Sequence, residues 1–356
     1  MTETWVEPLG LLRGRDAEAA IAADLALPLA GGPAAFTLVR LIGADAPTGL
    51  LPLADVPEAW QARVVALTRP VPSFAGLPAH RPLIMGILNV TPDSFSDGGR
   101  HLDAGAAIAA GHLMLEAGAD LLDIGGESTR PGATPVAPEE ECRRILPVIR
   151  ELAKAAPVSV DTRNAATMLA ALEAGAEIVN DVTALRHDPA AARVLARSEA
   201  SIILMHMLGE DPRTMQRDPR YDDVALEVAQ FLAARLDWVE RQGIARERLA
   251  VDPGIGFGKR LGHNLTLIER LPLLAGLGCP IVFGASRKRF IGEIGEVETA
   301  AERIPGSIAA ALAATRNGAA ILRVHDVAQT AQALRVFLAC EEGRFEPPMD
   351  ATSEEA

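Results

Sequence analysis

Between Arg81 and Cys340 the sequence contains eight short apolar runs, and each ends at a polar or charged residue before a helix-like stretch begins. The runs are continuous rather than alternating, which is typical of parallel strands that are covered on both faces. Eight strand-then-helix units predict an α/β fold, a closed (β/α)8 barrel. The predicted strands read LIMGILN, ADLLDIG, VSVDT, EIVND, SIILMH, RLAVDPG, IVFGAS and AAILRVH.

Helices are predicted in the gaps between these runs, where alanine-rich segments end near glycine. They cover residues 103–117, 138–156, 164–175, 189–198, 221–242, 265–274, 299–316 and 327–339. Two connections that follow predicted strands, residues 89–100 and 125–137, are long for loops of this kind. Long loops at the carboxyl ends of barrel strands are candidates for lids that close over a substrate.

The chain divides into three parts by composition. Residues 1–80 are rich in alanine, leucine and proline and lack the strand ends of the barrel, so we expect an appended module of a few strands or helices. Residues 81–340 form the predicted catalytic barrel. Residues 341–356 are acidic and contain a proline pair, which predicts a flexible tail.

Bulk composition excludes several classes of partner. A net charge of −13 and a pI of about 5.1 argue against nucleic acid or an anionic membrane. Three widely spaced cysteines indicate neither a disulfide framework nor a CxxC metal site. The start of the sequence lacks the pattern of a signal peptide, and no apolar run reaches the length of a membrane span. We therefore expect a cytoplasmic protein with small-molecule partners.

The polar residues that end the apolar runs are the first candidates for chemistry, because barrel active sites form at the carboxyl ends of the strands. They are Asn89, Asp123, Asp161, Asn180, His206, Asp252, Ser286, Arg323 and His325. A carboxylate buried at a strand end costs several kcal/mol unless a donor or a ligand pairs with it. For any one acid considered alone, we favour a structural ion pair over a ligand contact. For His206, a buried histidine with satisfied hydrogen bonds is at least as favoured as a ligand contact.

Convergence of several such residues changes this balance. Asp161, Asn180, Asp252, Lys288 and Arg323 are all predicted to project into the same mouth of the barrel. Together they offer acceptors, an amide and fixed donors, which suit a flat, nitrogen-rich heterocycle. A carboxylate can accept two parallel N–H bonds from the amino-amide edge of a guanine-like or pterin ring.

A second group of residues predicts an anion site near the loops after strands seven and eight. Its candidates are Asn89, Thr91, Ser94, Ser96, Thr129, Arg130, Arg323 and His325. Asn89 could ligate a Mg²⁺ ion that otherwise keeps water and a substrate diphosphate. For Arg287 and Arg289 we favour a solvated charge on a loop over a role in anion binding. The segment GIGFGK, residues 254–259, lacks the spacing of a phosphate loop, so its glycines are interpreted as a bend beside a flat ligand.

Eight segments, in order along the chain, closely resemble the dihydropteroate synthase family. They are GILNVTPDSFSDGG (86–99), DIGGESTRPGA (123–133), SVDT (159–162), IVND (178–181), LMHM (204–207), DPGIGFGK (252–259), GASRKRFIG (284–292) and RVHD (323–326). The resemblance implies that p-aminobenzoate is joined to 6-hydroxymethyl-7,8-dihydropterin diphosphate, which gives 7,8-dihydropteroate and pyrophosphate in folate biosynthesis. It also implies that sulfonamides, as mimics of p-aminobenzoate, compete with it, and that the chain forms a homodimer through barrel helices.

The resemblance implies roles for individual residues. Pterin contacts fall to Asp161, Asn180, Asp252 and Lys288, diphosphate contacts to Asn89, Arg323 and His325, the Mg²⁺ contact to Asn89, and p-aminobenzoate contacts to Phe95, Thr129, Arg130 and Ser286. Lys288, Asp97 and Arg130 are the expected catalytic residues, and Asp97 would help to stabilise a cationic pterin.

Three other functions remain open from the sequence. A pterin-dependent methyltransferase would share the strand-end acids, although such barrels lack the SRK segment and the two long loops. A catalytically silent pterin-binding paralogue would act through residues 1–80. An aldolase could use Lys288 to form a Schiff base.

Overall fold

The structure is a computed structural model that describes residues 4–90, 100–127, 136–209, 215–216 and 218–343, without the side chains of 100–103. Seven residues with predicted roles lie outside these ranges, as do residues 344–356 of the predicted tail; they are Thr91, Ser94, Phe95, Ser96, Asp97, Thr129 and Arg130.

The first 80 residues contain a small antiparallel sheet. Strand β1 (Trp5–Leu12) pairs along its length with β3 (Ala35–Ile42), and the short strands β2 (Leu27–Pro28) and β4 (Leu51–Pro52) pair with β3. Two helices accompany the sheet, α1 (Gly14–Ala22) and α2 (Glu58–Ala66).

This N-terminal segment has its own apolar cluster. Phe36 and Val39 of β3 are fully buried, and they pack with Trp60 and Val64 of α2. Ala275, which belongs to the barrel, lies in the same cluster. The cluster therefore continues from the N-terminal segment onto the outer surface of the barrel.

Eight parallel strands form the second sheet, and its hydrogen-bonded order is β10-β9-β8-β7-β6-β5-β12-β11. They are β5 (Leu83–Asn89), β6 (Leu121–Gly125), β7 (Val158–Asp161), β8 (Ile178–Asp181), β9 (Ser201–Met205), β10 (Leu249–Asp252), β11 (Val282–Phe283) and β12 (Ile321–Val324). A parallel bridge between Val251 and Ile281 joins the two ends of this order. The predicted (β/α)8 barrel is confirmed.

Helices surround the strands. They are α3 (Arg100–Glu116), α4 (Pro138–Leu152), α5 (Ala165–Glu173), α6 (Ala191–Ala196), α7 (Val224–Arg241), α8 (Leu261–Glu269), α9 (Arg289–Gly295), α10 (Ile304–Arg316) and α11 (Val327–Glu342). The helix predicted at 265–274 is wrong in its bounds, because α8 ends at Glu269 and a separate 3-10 helix, Leu271–Leu277, has Pro272 in its first turn. Helix α9 was not predicted.

Apolar side chains fill both sides of the barrel wall. The interior below the site is packed by strand residues from all around the barrel, namely Leu83, Met85, Leu121, Ile178, Ile203, Ala250, Val282 and Ile321. The outer face of the strands packs against the helices, for which Ile145, Val148, Ile149 and Leu152 of α4 are fully buried examples. Burial on both faces explains why the strand sequences are continuously apolar.

Polar contacts fasten the N-terminal segment to the barrel. The carboxylate of Glu7 is fully buried and accepts hydrogen bonds from Arg40 (2.6 Å) and from Arg270, the residue after α8 (2.7 and 3.1 Å). Arg270 also donates two bonds of 2.8 Å to Asp223, the N-cap of α7. Arg13 donates to the carbonyl of Thr315 at the end of α10 (2.8 Å). Within the described ranges, no helix is long and apolar enough to cross a bilayer.

Candidate active site

Carboxylates and an amide from three neighbouring strands meet at the carboxyl end of the barrel. In the sheet register Gly125 pairs with Asp161, and Asp161 pairs with Asn180. The amide of Asn180 donates to Asp123, two residues before the end of β6, over 3.1 Å. Because parallel strands end at the same edge, a contiguous polar surface forms here without any local sequence signal that joins its parts.

Arg323 reaches these acids from β12. Its Nε donates to Oδ2 of Asp123 (2.5 Å), and one terminal nitrogen donates to Oδ2 of Asp161 (2.8 Å). The resemblance assigned Arg323 to the diphosphate, whereas here its guanidinium bridges two acids, one of which was expected to bind the pterin. Asp123 is fully buried, and the sequence indicated it only as a strand end. The available signal was an acid placed inside the apolar segment LLDIG.

Asp252 and Lys288 lie on the other side of Arg323. Oδ1 of Asp252 accepts a hydrogen bond of 2.6 Å from the backbone of Gly254. The amine of Lys288 donates to the carbonyl of Ile255 and lies 4.7 Å from the centre of the Phe257 ring. A methyl group built onto Gly284 would lie 3.9 Å from Oδ2 of Asp252 and 3.8 Å from Cδ of Arg323, so this glycine leaves space between the two charges.

Burial sets the protonation of the site. It raises the pKa of Asp161 to about 7, against the opposing charge of Arg323. Burial also raises the pKa of Asp252, although Lys288 opposes the shift, and it lowers the pKa of Lys288 to about 8. For Arg323 the carboxylates of Asp123 and Asp161 outweigh burial and raise the pKa. Asp161 and Lys288 therefore titrate near neutral pH, which is typical of functional sites.

Ser286 and His325, which the resemblance assigned to different substrates, are in contact. The hydroxyl of Ser286 accepts from the backbone N–H of His325 (3.2 Å) and lies 3.0 Å from its Nδ1. Next to them, Arg287 pairs with Asp326 through bonds of 3.0 and 2.6 Å. Arg289 pairs with Glu293 on α9. Arg287 therefore makes a partly buried ion pair, whereas the Arg289 side chain is 90% exposed and its charge is solvated.

Asn89 lies at the end of β5 and is half-buried. A methyl group on Gly125 would lie 3.8 Å from Oδ1 of Asn89 and 3.5 Å from Cβ of Asp161, so glycine keeps the space beside the amide oxygen open. No group of three or more histidine, cysteine or carboxylate residues in the described part of the chain could hold a metal by itself. Any ion at Asn89 would need most of its ligands from a substrate and water.

His206 is buried, and its Nδ1 lies 2.8 Å from the amine of Lys259, which is also buried. These contacts are those of a buried histidine whose hydrogen bonds are satisfied, which was one of the two interpretations of His206. In the GIGFGK segment, Gly254, Gly256 and Gly258 have φ angles of 68°, 80° and 65°. Such angles favour glycine, as the predicted bend requires. Lys259 was not singled out by the sequence.

The family model described as "Pterin binding enzyme" matches residues 85–325. The dihydropteroate synthase of Neisseria meningitidis serogroup B is 51% identical over 264 residues, which cover 72% of this chain and 92% of that protein. A solved structure of Xanthomonas albilineans dihydropteroate synthase with 4-aminobenzoic acid is 51% identical with a TM-score of 0.71, and it covers 74% of this chain and 95% of its own.

A second Xanthomonas albilineans structure contains 7,8-dihydropteroate. It is 45% identical with a TM-score of 0.66, over 74% of this chain and 95% of that chain. The family match begins at residue 85, so the N-terminal segment lies outside it. Similarity of this extent over the whole barrel identifies the family and its transferase activity. The chain belongs to the pterin-binding enzyme family and, within it, to the dihydropteroate synthases.

Proposed function

We propose that this chain joins the amino nitrogen of p-aminobenzoate to the methylene carbon of 6-hydroxymethyl-7,8-dihydropterin diphosphate, as a dihydropteroate synthase of folate biosynthesis. The observation that carries the proposal is the meeting of Asp161, Asp252, Asn180 and Lys288 around Arg323 at one end of the barrel. A pterin ring offers the flat array of N–H donors and acceptors that such a set can bind.

Pterin recognition falls to Asp161, Asn180, Asp252 and Lys288. A buried carboxylate gains most from a ligand that supplies two parallel N–H donors, because the ligand replaces the water that burial removed. Lys288, held beside Asp252, can donate to the ring carbonyl or a ring nitrogen. Because the N–H groups of the pterin pair with ionised carboxylates, pterin binding lowers the raised pKa of both acids and releases protons from the site.

The diphosphate would be held by Asn89, Arg323 and His325. To reach it, Arg323 must release at least one of its two carboxylates, and pterin N–H groups can then replace the guanidinium there. A Mg²⁺ ion would be held by the amide oxygen of Asn89, whose open surroundings beside Gly125 support this assignment. When bound, the ion neutralises charge on the leaving diphosphate.

Bond breaking and bond making follow from the substrates. The bond between the methylene carbon and the diphosphate oxygen breaks, and the diphosphate takes both electrons. The electron-rich pterin stabilises the resulting cation, with help from Asp97. The lone pair of the aniline nitrogen then forms the new C–N bond, and the nitrogen loses a proton. An aniline is unprotonated at neutral pH, so no strong general base is required.

The second substrate would be framed by Ser286 together with Phe95, Thr129 and Arg130 of the two long loops, with Arg130 pairing the carboxylate. We infer that this site is completed only after the pterin substrate binds. Sulfonamides mimic p-aminobenzoate and should compete with it. With a sulfonamide present, rates measured at several p-aminobenzoate concentrations should show a raised apparent KM for p-aminobenzoate and an unchanged kcat. An unaffected KM would refute the proposed site.

A pyrophosphate-release assay with both substrates and Mg²⁺ tests the proposed function. We expect release that depends on both substrates, and formation of 7,8-dihydropteroate by chromatography. Binding of the pterin substrate without release would indicate a silent paralogue. Methyl transfer to a corrinoid, or trapping of Lys288 by borohydride in the presence of an aldehyde or ketone substrate, would instead indicate a methyltransferase or an aldolase.

We also propose the organisation of the protein in the cell. Residues 1–80 form an appended module and residues 81–340 the catalytic barrel, whose last helix, α11, continues to Glu342. The chain acts in the cytoplasm as a homodimer that contacts neither nucleic acid nor membrane. Light scattering coupled to size-exclusion chromatography should give twice the mass of the chain, and a monomeric mass would refute the dimer.

A further inference from the structure

The segment after β10 contacts Lys288 at two points. We call residues 253–260 the glycine loop. Its Ile255 carbonyl accepts from the amine of Lys288, and its Phe257 ring faces the same amine at 4.7 Å. The backbone N–H of Gly256 donates to Oδ1 of Asn264 over 2.8 Å. The position of the Lys288 amine therefore depends on the conformation of this loop.

Lys259, a residue of the glycine loop, connects this loop to the residue that follows β9. Its amine donates to the carbonyl of Phe257 (3.1 Å), lies 2.8 Å from Nδ1 of His206 and 3.4 Å from the His206 carbonyl. The residue is only 4% exposed. His206 continues the sheet, since its backbone N–H donates to the carbonyl of Asp252 over 2.9 Å. Lys259 thus ties the loop to the end of the strand pair that carries Asp252.

These contacts suit a neutral amine. None of the three atoms that contact the Lys259 amine belongs to a carboxylate. Burial lowers the pKa of both Lys259 and His206 well below their usual values, and for Lys259 it outweighs the opposing charge of Asp252. A neutral amine and a neutral imidazole can share one hydrogen bond inside the protein, whereas two cations would repel each other. The pair also avoids adding a full positive charge close to Lys288.

Composition supports a special role for lysine here. Only three of the 34 lysine and arginine residues are lysine. Lys154 is exposed in the turn that follows α4, and the other two are Lys259 and Lys288. The other basic residues of the chain are arginine, whose guanidinium stays charged and needs more space than a lysine amine. A compact amine that can lose its proton fits the contacts of Lys259.

We propose that Lys259 is a positioning residue for the pterin site, which holds the glycine loop against the end of β9 so that the loop directs the Lys288 amine toward the pterin. The inference rests on the proposed role of Lys288 in pterin binding. Lys259 itself touches no substrate. Its effect on catalysis passes through the Ile255 carbonyl and the Phe257 ring.

Steady-state kinetics of pyrophosphate release by the full-length chain test the inference, once wild-type release is established. Lys259→Met should raise the KM for the pterin diphosphate about tenfold, and leave the KM for p-aminobenzoate unchanged. In a Lys288→Met background the same change should add less than about threefold. Lys154→Met, the same substitution at an exposed site, should match wild type. Equal losses for both substrates, or additive losses in the double variant, would overturn the inference.

A second variant separates the hydrogen bond from folding. Lys259→Gln keeps a donor that can reach the Phe257 carbonyl, so the pterin KM should return to within about threefold of wild type. If glutamine is as impaired as methionine, the donor is not what positions Lys288, and the inference is wrong.

Lysine NMR reports on Lys288 without turnover. A chain labelled with ¹³C at lysine Cε should give three signals, with Lys154 as the internal reference. The charges that face Lys288, Asp252 and Arg323, stay unchanged in Lys259→Met. We expect the pKa of Lys288 to rise from about 8 toward the usual lysine value as the loop loosens and water enters. An unmoved Lys288 titration contradicts the inference, whereas a wild type with this titration but no pyrophosphate release contradicts only the proposed function.

Discussion

Replacing Asp123 by asparagine tests the charge network at the base of the site. Oδ2 of Asp123 accepts from Arg323 (2.5 Å) and Asn180 (3.1 Å), and Oδ1 has no hydrogen-bond partner among the described residues. Asparagine can keep its oxygen toward both donors and turn its amide nitrogen to the side where Oδ1 was. The substitution therefore removes the charge and keeps the shape.

The magnitude follows from the two contacts. A hydrogen bond to a charged group stabilises by about 1.5–3 kcal/mol and a neutral one by about 0.5–1.5 kcal/mol, so Asp123→Asn should cost about 1–2 kcal/mol of unfolding free energy. Loss of the charge also relieves repulsion on Asp161, which offsets part of this cost. Asp123→Ala leaves Asn180 without its acceptor and Arg323 with one carboxylate, so it should cost about 3–5 kcal/mol.

Equilibrium urea unfolding at several pH values measures both effects. The folded-state pKa of Asp161, about 7, lies above its unfolded value, so the folded chain binds the extra proton and loses stability as pH rises through roughly pH 4–7. Asp123→Asn lowers that pKa and reduces the loss. The difference between wild type and Asp123→Asn should therefore shrink from about pH 5 to about pH 8. Equal costs for asparagine and alanine, or a difference independent of pH, would refute the charge network.

Other predictions concern the rest of the molecule. Glu7→Gln should lower the unfolding free energy by about 2–4 kcal/mol in urea without changing turnover, with Glu58→Gln as the exposed control; an unchanged midpoint contradicts the anchoring role of Glu7. The kcat/KM for the pterin substrate should fall below about pH 7, where Asp161 is protonated, and above about pH 8, where Lys288 is neutral. Lys288→Arg should move the alkaline limb of this pH profile to higher pH; an unmoved limb would mean that a group other than Lys288 causes the fall. Arg130→Ala should raise the KM for p-aminobenzoate and leave pterin binding in calorimetry intact, and loss of both would contradict its assignment.

The barrel and the rim of the site could be predicted because both depend on local pattern. Continuous apolar runs mark strands buried on two faces, and the polar residue that interrupts a run lies at or near the end of its strand. Asp161, Asn180 and Asp252 were found in this way. Their convergence follows from the fold alone, since all parallel strands end at one edge.

Contacts between distant residues could not be predicted. Arg323 and Asp123 are 200 positions apart, and nothing near either residue indicates that the guanidinium spans two acids. The same holds for Lys259 with His206 and for Glu7 with Arg270, which are 53 and 263 positions apart. Side-chain reach across a closed barrel, rather than periodicity, determines these pairs.

Local chemistry explains the misplaced helices. Pro272 forces a new start where the pattern suggested one continuous helix, so α8 ends before it. Helix α9 has only seven residues and contains Gly292 and Gly295, which hide its periodicity. The antiparallel pairing of β1 with β3 in the N-terminal segment joins residues as far apart as Trp5 and Ile42, and only the general presence of strands or helices there was predicted.

Calorimetric titration with 6-hydroxymethyl-7,8-dihydropterin diphosphate tests the central claim most directly, that the strand-end acids bind the pterin. Asp252→Asn removes one buried charge and preserves volume. Loss of two charge-assisted hydrogen bonds of about 1.5 kcal/mol each predicts a Kd at least about 100-fold weaker than that of wild type. A wild-type Kd for Asp252→Asn, in a variant that unfolds normally, would contradict the claim.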